Sequence, residues 1–137
     1  MVCYILWMIK DFDEWNKIKK SIHAKEKRLF FREGEIWWIS LGVNIDYEID
    51  GKGNEYTRPV IVMKKYNQYS FLALPLSTSK KINKYKIPIG IVADKEAVAN
   101  LSQMRNIDSK RLVKKIGRVE RGLFQEIKKK ASQVNFG

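Results

Sequence analysis

A proline stands at the mouth of an apolar, branched run, Val60-Ile61-Val62-Met63, and limits where that run can lie in a sheet. Such a run has the composition of a buried strand. Proline cannot donate to a sheet ladder, so Pro59 is expected at the strand's first residue or on an edge strand. The residue before it, Arg58, is then held where loop meets scaffold. The preceding loop, residues 43–57, is acidic and carries Gly51 and Gly53. Two readings of Arg58 stay open here. A guanidinium is permanently charged and presents a planar fork suited to phosphate. It is equally a partner for Glu48, Asp50 or Glu55, a pairing that contributes little stability.

The rest of the chain supplies neighbours for that strand. Glu35 to Leu41, after Gly34, reads as a strand buried on most of its surface. Tyr66-Asn67-Gln68-Tyr69 reads as a turn, which makes Ser70 to Leu76 a third strand, antiparallel to the second. Ser77-Thr78-Ser79-Lys80-Lys81 leaves the sheet as a polar loop. Tyr85 to Val92 is a fourth strand, bent or on an edge because of Pro88 and Gly90. Asp94 to Glu96 is a turn, Val98 to Ser102 a fifth strand, and Val113 to Val119 a last extended piece. Asp108 is placed to cap a short helical turn over Ser109 to Leu112.

Helices flank the strands. Asp11 with Glu14 makes a capping box, and Phe12, Trp15, Ile18 and Ile22 recur at helical spacing. The spacing predicts a helix over 11–28 with an apolar face that must bury against the domain or a partner subunit. Leu123, Phe124, Ile127, Ala131 and Val134 predict a final amphipathic helix. Short strands of this number between two helices favour an α+β, mainly β, domain: a small, strongly bent sheet or half-open barrel. At 137 residues the chain suits one globular domain.

Lys and Arg number 27 against 15 Asp and Glu, a net charge of +12. That excess favours a polyanionic partner, nucleic acid or an acidic protein, over a membrane surface. Met1 to Met8 is apolar but far short of the roughly 20 residues that span a bilayer, and it lacks a signal peptide's basic start. A cytoplasmic protein is expected. With one cysteine, Cys3, and one histidine, His23, neither a disulfide framework nor a Cys-His, Ser-His-Asp or histidine-metal centre is supported. His23 is expected on a helix surface, and no cofactor is implied.

Hydrogen-bonding groups gather at three strand ends: Arg58; Ser77-Thr78-Ser79; and Gln103-Met104-Arg105-Asn106-Ile107-Asp108. The hydroxyls either satisfy their own loop or contact a phosphate. The third segment reads as a half-buried loop, with Arg105 and Asp108 as an ion pair. Lysines interleaved with tyrosines, as in Lys64-Lys65-Tyr66 and Lys84-Tyr85-Lys86, suit either single-stranded nucleic acid or ordinary solvated strand ends.

The order of these pieces resembles a known family. GEIWWISLG at 34–42, the acidic loop, TRPVIVM at 57–63, PLSTSKK at 75–81 and SQMRNIDSKRL at 102–112 are similar to the successive signatures of MazF/PemK toxins of type II toxin–antitoxin systems. The resemblance spans roughly residues 29–132. The domain proper is then 29–137, with residues 1–28 a leading extension. The resemblance implies an SH3-like, partly open barrel shared with CcdB toxins, and a homodimer. It also implies a metal-independent endoribonuclease cutting single-stranded messenger RNA, and an acidic antitoxin that occupies the RNA groove.

Residue by residue, Arg58 matches the family's RP arginine and is assigned to the phosphate, with a possible share in proton transfer. Ser77 is the catalytic-hydroxyl match and Thr78 its support, although the family's usual order is Thr-Ser. Tyr47 stands where some members have a histidine before the loop glutamate, here Glu48. Ser102 stands where some carry a carboxylate. The general base is therefore open between Glu48 and Arg58. Lys80, Lys81, Tyr47, Gln103 and Arg105 are assigned to RNA, with Gln103 and Arg105 organising the site or the dimer. The competing readings are a CcdB-like inhibitor of DNA gyrase and a catalytically silent RNA-binding module.

Overall fold

A computed structural model describes residues 11–25, 27–42, 56–78 and 83–137. The run after Pro59 is strand β2 (Thr57–Lys65), antiparallel to both β1 (Glu35–Ser40) and β3 (Ser70–Ser77). Its side chains alternate between two cores, which explains its unbroken apolar run. Val60 and Val62 join Phe31, Trp37, Ile39, Phe71, Ile107 and Leu112 on one face. Ile61 and Met63 join Ile36, Leu74 and Leu76 on the other.

Pro59 departs from expectation. It is the third residue of a strand paired on both sides, neither first nor on an edge. The ladder with β3 starts one residue later, at Val60 opposite Pro75, so Pro59 sits at the open end of that ladder. The hairpin joining β2 to β3 turns as its residues dictate: Asn67 Oδ1 accepts from the amides of Tyr69 (2.8 Å) and Ser70 (3.1 Å).

The remaining strands are β4 (Lys86–Val92), β5 (Lys95–Asn100), β6 (Arg105–Asp108) and β7 (Leu112–Arg118). The sheet runs β4-β5-β3-β2-β1-β7, with β6 also on β3. One edge of β3 is shared: β6 takes Ser70–Ala73 and β5 takes Leu76 and Ser77. That division folds the sheet along β3 and produces the half-open barrel. Strand β4 carries a register shift between Pro88 and Gly90, where Gly90 has φ +101°.

Three expectations need correction. The fifth strand runs Lys95–Asn100, because Ala93 and Asp94 form the hairpin turn with positive φ and Leu101–Gln103 closes into a 3₁₀ turn. The segment 105–108, read as a loop, is a strand. Its Asp108 meets Arg28 Nη1 at 2.6 Å, and residues three apart on a strand point to opposite faces. Asp108 also caps the 3₁₀ turn Ser109–Arg111, accepting from Lys110 N at 2.8 Å.

Helix α1 (Phe12–His23) is capped by Asp11, which accepts from Glu14 N at 2.9 Å. It ends five residues short of expectation. Lys25 Nζ donates to Lys110 O (3.2 Å), and Arg28 donates to Tyr69 O (3.2 Å) and Ser109 Oγ (2.8 Å). These ties hold Lys25 and Arg28 against the domain rather than in the helix, and Phe31 beyond them is buried. Of the expected apolar face, Trp15, Ile18 and Ile22 pack with Tyr56 and are covered by the domain itself, while Phe12 stays half-exposed. His23 is exposed, as expected. The last helix, α2 (Arg121–Phe136), buries Phe124, Ile127 and Ala131 over the second core.

Gly42 has φ +83°, and a Cβ built on it would overlap the Trp15 indole. Gly42→Ala is expected to lower stability by about 2–3 kcal/mol in urea unfolding, from left-handed strain plus the clash.

Candidate active site

The open ends of β2 and β3 meet the β4–β5 hairpin around a cleft of about 390 Å³. Its walls are largely apolar: Trp38, Pro59, Leu76, Val92 and Ala97. Set among them are Thr57, Arg58, Ser77, Thr78 and Lys95. The described lining thus carries two cations, Arg58 and Lys95, and no carboxylate. Low-dielectric walls strengthen the field of such cations, so the described lining favours an anion.

Arg58 is 6% exposed, although it borders the cleft. The register sets it opposite Ile39 of β1, and its Nη1 donates to the Leu76 carbonyl at 3.0 Å. The guanidinium is thereby locked to the residue just before Ser77. A guanidinium carries further donors in a fixed fork, so this anchor is compatible with presenting charge to a phosphate.

Ser77 is the last residue of β3 and Thr78 the next. Asn100, which sequence reasoning missed, lies beneath Ser77. It is buried, its Nδ2 donates to Pro75 O at 2.9 Å, and Ser77 Oγ stands 3.3 Å from Nδ2 and 3.4 Å from Oδ1. The signal in the sequence was an amide closing the otherwise apolar Ala97-Val98-Ala99. Asn100→Ala would strand the Pro75 carbonyl. It is expected to cost about 1–3 kcal/mol in denaturant unfolding.

Of the other residues singled out by sequence, Gln103 ends the 3₁₀ turn and Arg105 opens β6, opposite Ala73; neither lines the cleft. Glu48, Tyr47, Lys80 and Lys81 lie outside the described residues, as do the loop acids Asp50 and Glu55. Trp38 and Lys95 were not anticipated, because only the folded sheet brings β1 and the β4–β5 hairpin together. Among the described residues, no three His, Cys, Asp or Glu side chains come together. No helix there is long and apolar enough to cross a membrane.

Comparison with known proteins decides the family. The family model for the PemK-like, MazF-like toxin of type II toxin-antitoxin systems matches residues 32–134. The chain belongs to this toxin family. No curated protein matches the sequence. Among solved structures, MazF (Form-I) from Deinococcus radiodurans is similar with a TM-score of 0.65 at 17% identity, covering 77% of this chain and 96% of that one. An endoribonuclease in complex with its cognate antitoxin, from a mycobacterial species, gives 0.58 at 11% identity, covering 79% and 98%. Mycobacterium tuberculosis toxin MazF-mt6 gives 0.52 at 13%, covering 63% and 91%. At these identities the structural likenesses show the fold: the MazF-like chain is a curled, mainly antiparallel sheet with a helix at either end. Helix α1 precedes the residues matched by the family model.

Proposed function

We propose that this chain is the toxin component of a type II toxin–antitoxin system and an endoribonuclease acting on single-stranded RNA in the cytoplasm. The observation that carries the reading is the cleft itself. Arg58, anchored on Leu76 O, shares it with Ser77 and Thr78. A mycobacterial structural neighbour is described as an endoribonuclease bound to its cognate antitoxin, which supports both the activity and an antitoxin partner. The net charge of +12 suits RNA and an acidic antitoxin segment alike.

The chemistry follows from what the phosphodiester needs. The 2′-hydroxyl loses its proton and its oxygen attacks the adjacent phosphorus. The P–O5′ bond breaks, leaving a 2′,3′-cyclic phosphate, and O5′ takes a proton. Charge grows on the phosphoryl oxygens, where a guanidinium in an apolar cleft is most effective. Arg58 is assigned that role. Ser77, steadied by Asn100, places its hydroxyl beside the phosphate, with Thr78 in support. Proton removal is assigned to Glu48 or to Arg58. Lys80, Lys81, Tyr47, Gln103 and Arg105 are assigned to RNA outside the scissile phosphate. The active form is a homodimer, and the step requires no metal.

The test is incubation of antitoxin-free protein with a long single-stranded RNA in EDTA, with fragment ends mapped. Discrete fragments with 5′-hydroxyl ends are expected. Intact RNA, with gyrase-dependent DNA breaks in cells, would replace this reading with a gyrase inhibitor. Salt-sensitive RNA binding without any product would make the chain a silent binding module.

A further inference from the structure

We propose that Trp15 is a positioning residue for Arg58, and that α1 braces the point where the chain enters β2. The activity readout of this proposal rests on the nuclease reading above; its geometry does not.

Trp15, on α1, is 5% exposed. Its indole lies so close against Gly42 that a side chain there would overlap it. Its ring centroid is 5.7 Å from that of Tyr56, tilted by 58°. The Arg111 guanidinium lies 5.7 Å from the Trp15 ring, and Arg111 Nη1 donates to Ser40 O at 3.0 Å. The end of β1, the start of β2 and the turn before β7 therefore meet on one indole.

The entry to β2 is strained and depends on such support. Tyr56 has φ +53°, a left-handed conformation costly for a tyrosine. Its carbonyl accepts from both Leu41 N and Gly42 N, each at 3.0 Å. Two residues on is Arg58, whose fork must meet a phosphate to within a fraction of an ångström. Without the indole, Tyr56 is released to relax, and the start of β2 at Thr57 and Arg58 relaxes with it. The opposite end of α1 is fixed independently, by Lys110 Nζ to His23 O (3.0 Å). The brace is thus held against the domain at both ends.

A purely covering role for Trp15 predicts lost stability alone. A positioning role predicts more. Trp15→Ala is expected to lower kcat on RNA by about tenfold to a hundredfold with KM within about twofold. Trp15→Phe recovers most of the rate, and Phe12→Ala, half-exposed on the same helix, leaves it unchanged. In an Arg58→Lys background, Trp15→Ala adds little further loss, because both act on one group. Amide exchange at Leu41 and Gly42 accelerates in Trp15→Ala and in the milder Trp15→Phe, while Phe71–Ala73 stays protected. Parental kcat in Trp15→Ala, or a fully additive loss with Arg58→Lys, would overturn the proposal. If the parent cleaves no RNA, the nuclease reading fails and exchange alone decides: unchanged exchange at Leu41 and Gly42 overturns the brace.

Discussion

Arg58→Ala is expected to lower RNA cleavage by about 10²–10³-fold or more, the scale seen when one preorganised donor to a developing oxyanion is removed. Arg58 occupies an apolar-walled cleft in which the described charges are its own and that of Lys95. Little else in the described lining can compensate. Arg58→Lys keeps the charge but loses the fork that binds Leu76 O while facing the cleft, so it recovers only part of the rate. Loss of the Leu76 bond also destabilises, by about 1–3 kcal/mol. Cleavage must therefore be measured at a temperature where far-UV circular dichroism shows the variant folded. A fully folded Arg58→Ala protein with parental cleavage would remove Arg58 from the chemistry.

The second large effect concerns folding. Glu35 is buried, and its carboxylate accepts from Arg32 N (2.7 Å), Trp37 Nε1 (3.2 Å) and Lys115 Nζ (2.6 Å). Burial pushes its pKa up. The Lys115 hydrogen bond, those from Arg32 and Trp37, and the Lys115 charge outweigh burial and hold it below the ordinary glutamate value. Glu35→Ala leaves the amide and the indole N–H without their acceptor beside the core. A loss of about 3–5 kcal/mol in urea unfolding is expected.

The same site makes stability depend on pH. A carboxylate held below its ordinary value contributes its full stabilisation above the unfolded-state value. That contribution is lost as pH falls through the depressed folded-state value. Asp108 behaves alike: burial raises its pKa, but the Lys110 amide and Arg28 outweigh it. The parent's unfolding free energy should therefore fall on acidification below the ordinary carboxylate range. Glu35→Ala should flatten that fall. An identical acid limb in parent and variant would contradict the assignment.

Much of the sheet was legible because its signals are local. The β2–β3 hairpin announces itself through an apolar run, an Asn turn and a second apolar run. Asp11 and Asp108 cap where their side chains suggest. Strand β6 was not legible: Arg105-Asn106-Ile107-Asp108 offers a single apolar residue to the core, and its strand character comes from pairing with β3, more than 30 residues earlier. The end of α1 was obscured for a similar reason, since Lys25 and Arg28 serve distant carbonyls and Asp108 rather than the helix. Pro59 was placed too strictly, because a proline is tolerated inside a paired strand where one ladder has not yet begun.

The cleft was half legible. Arg58, Ser77 and Thr78 are near strand ends by sequence, and the register of β2 on β3 brings those ends together. Asn100, Trp38 and Lys95 enter only through the packing of β5 and β1 around them. Gln103 and Arg105 were grouped with the site by motif; Gln103 ends the 3₁₀ turn after β5 and Arg105 opens β6, outside the described lining of the cleft.

The chemistry proposed for this cleft is attack by a 2′-oxygen on the adjacent phosphorus. The most direct measurement maps one cleaved bond, then offers the same oligonucleotide with a single 2′-deoxy nucleotide on the 5′ side of that bond. Cutting of the all-RNA strand is expected, with a cyclic phosphate and a 5′-hydroxyl as products. No cutting is expected at the substituted bond, while binding is retained. Cleavage of the deoxy-substituted bond would contradict that chemistry, because a nucleophile other than the 2′-oxygen would then be breaking the P–O5′ bond.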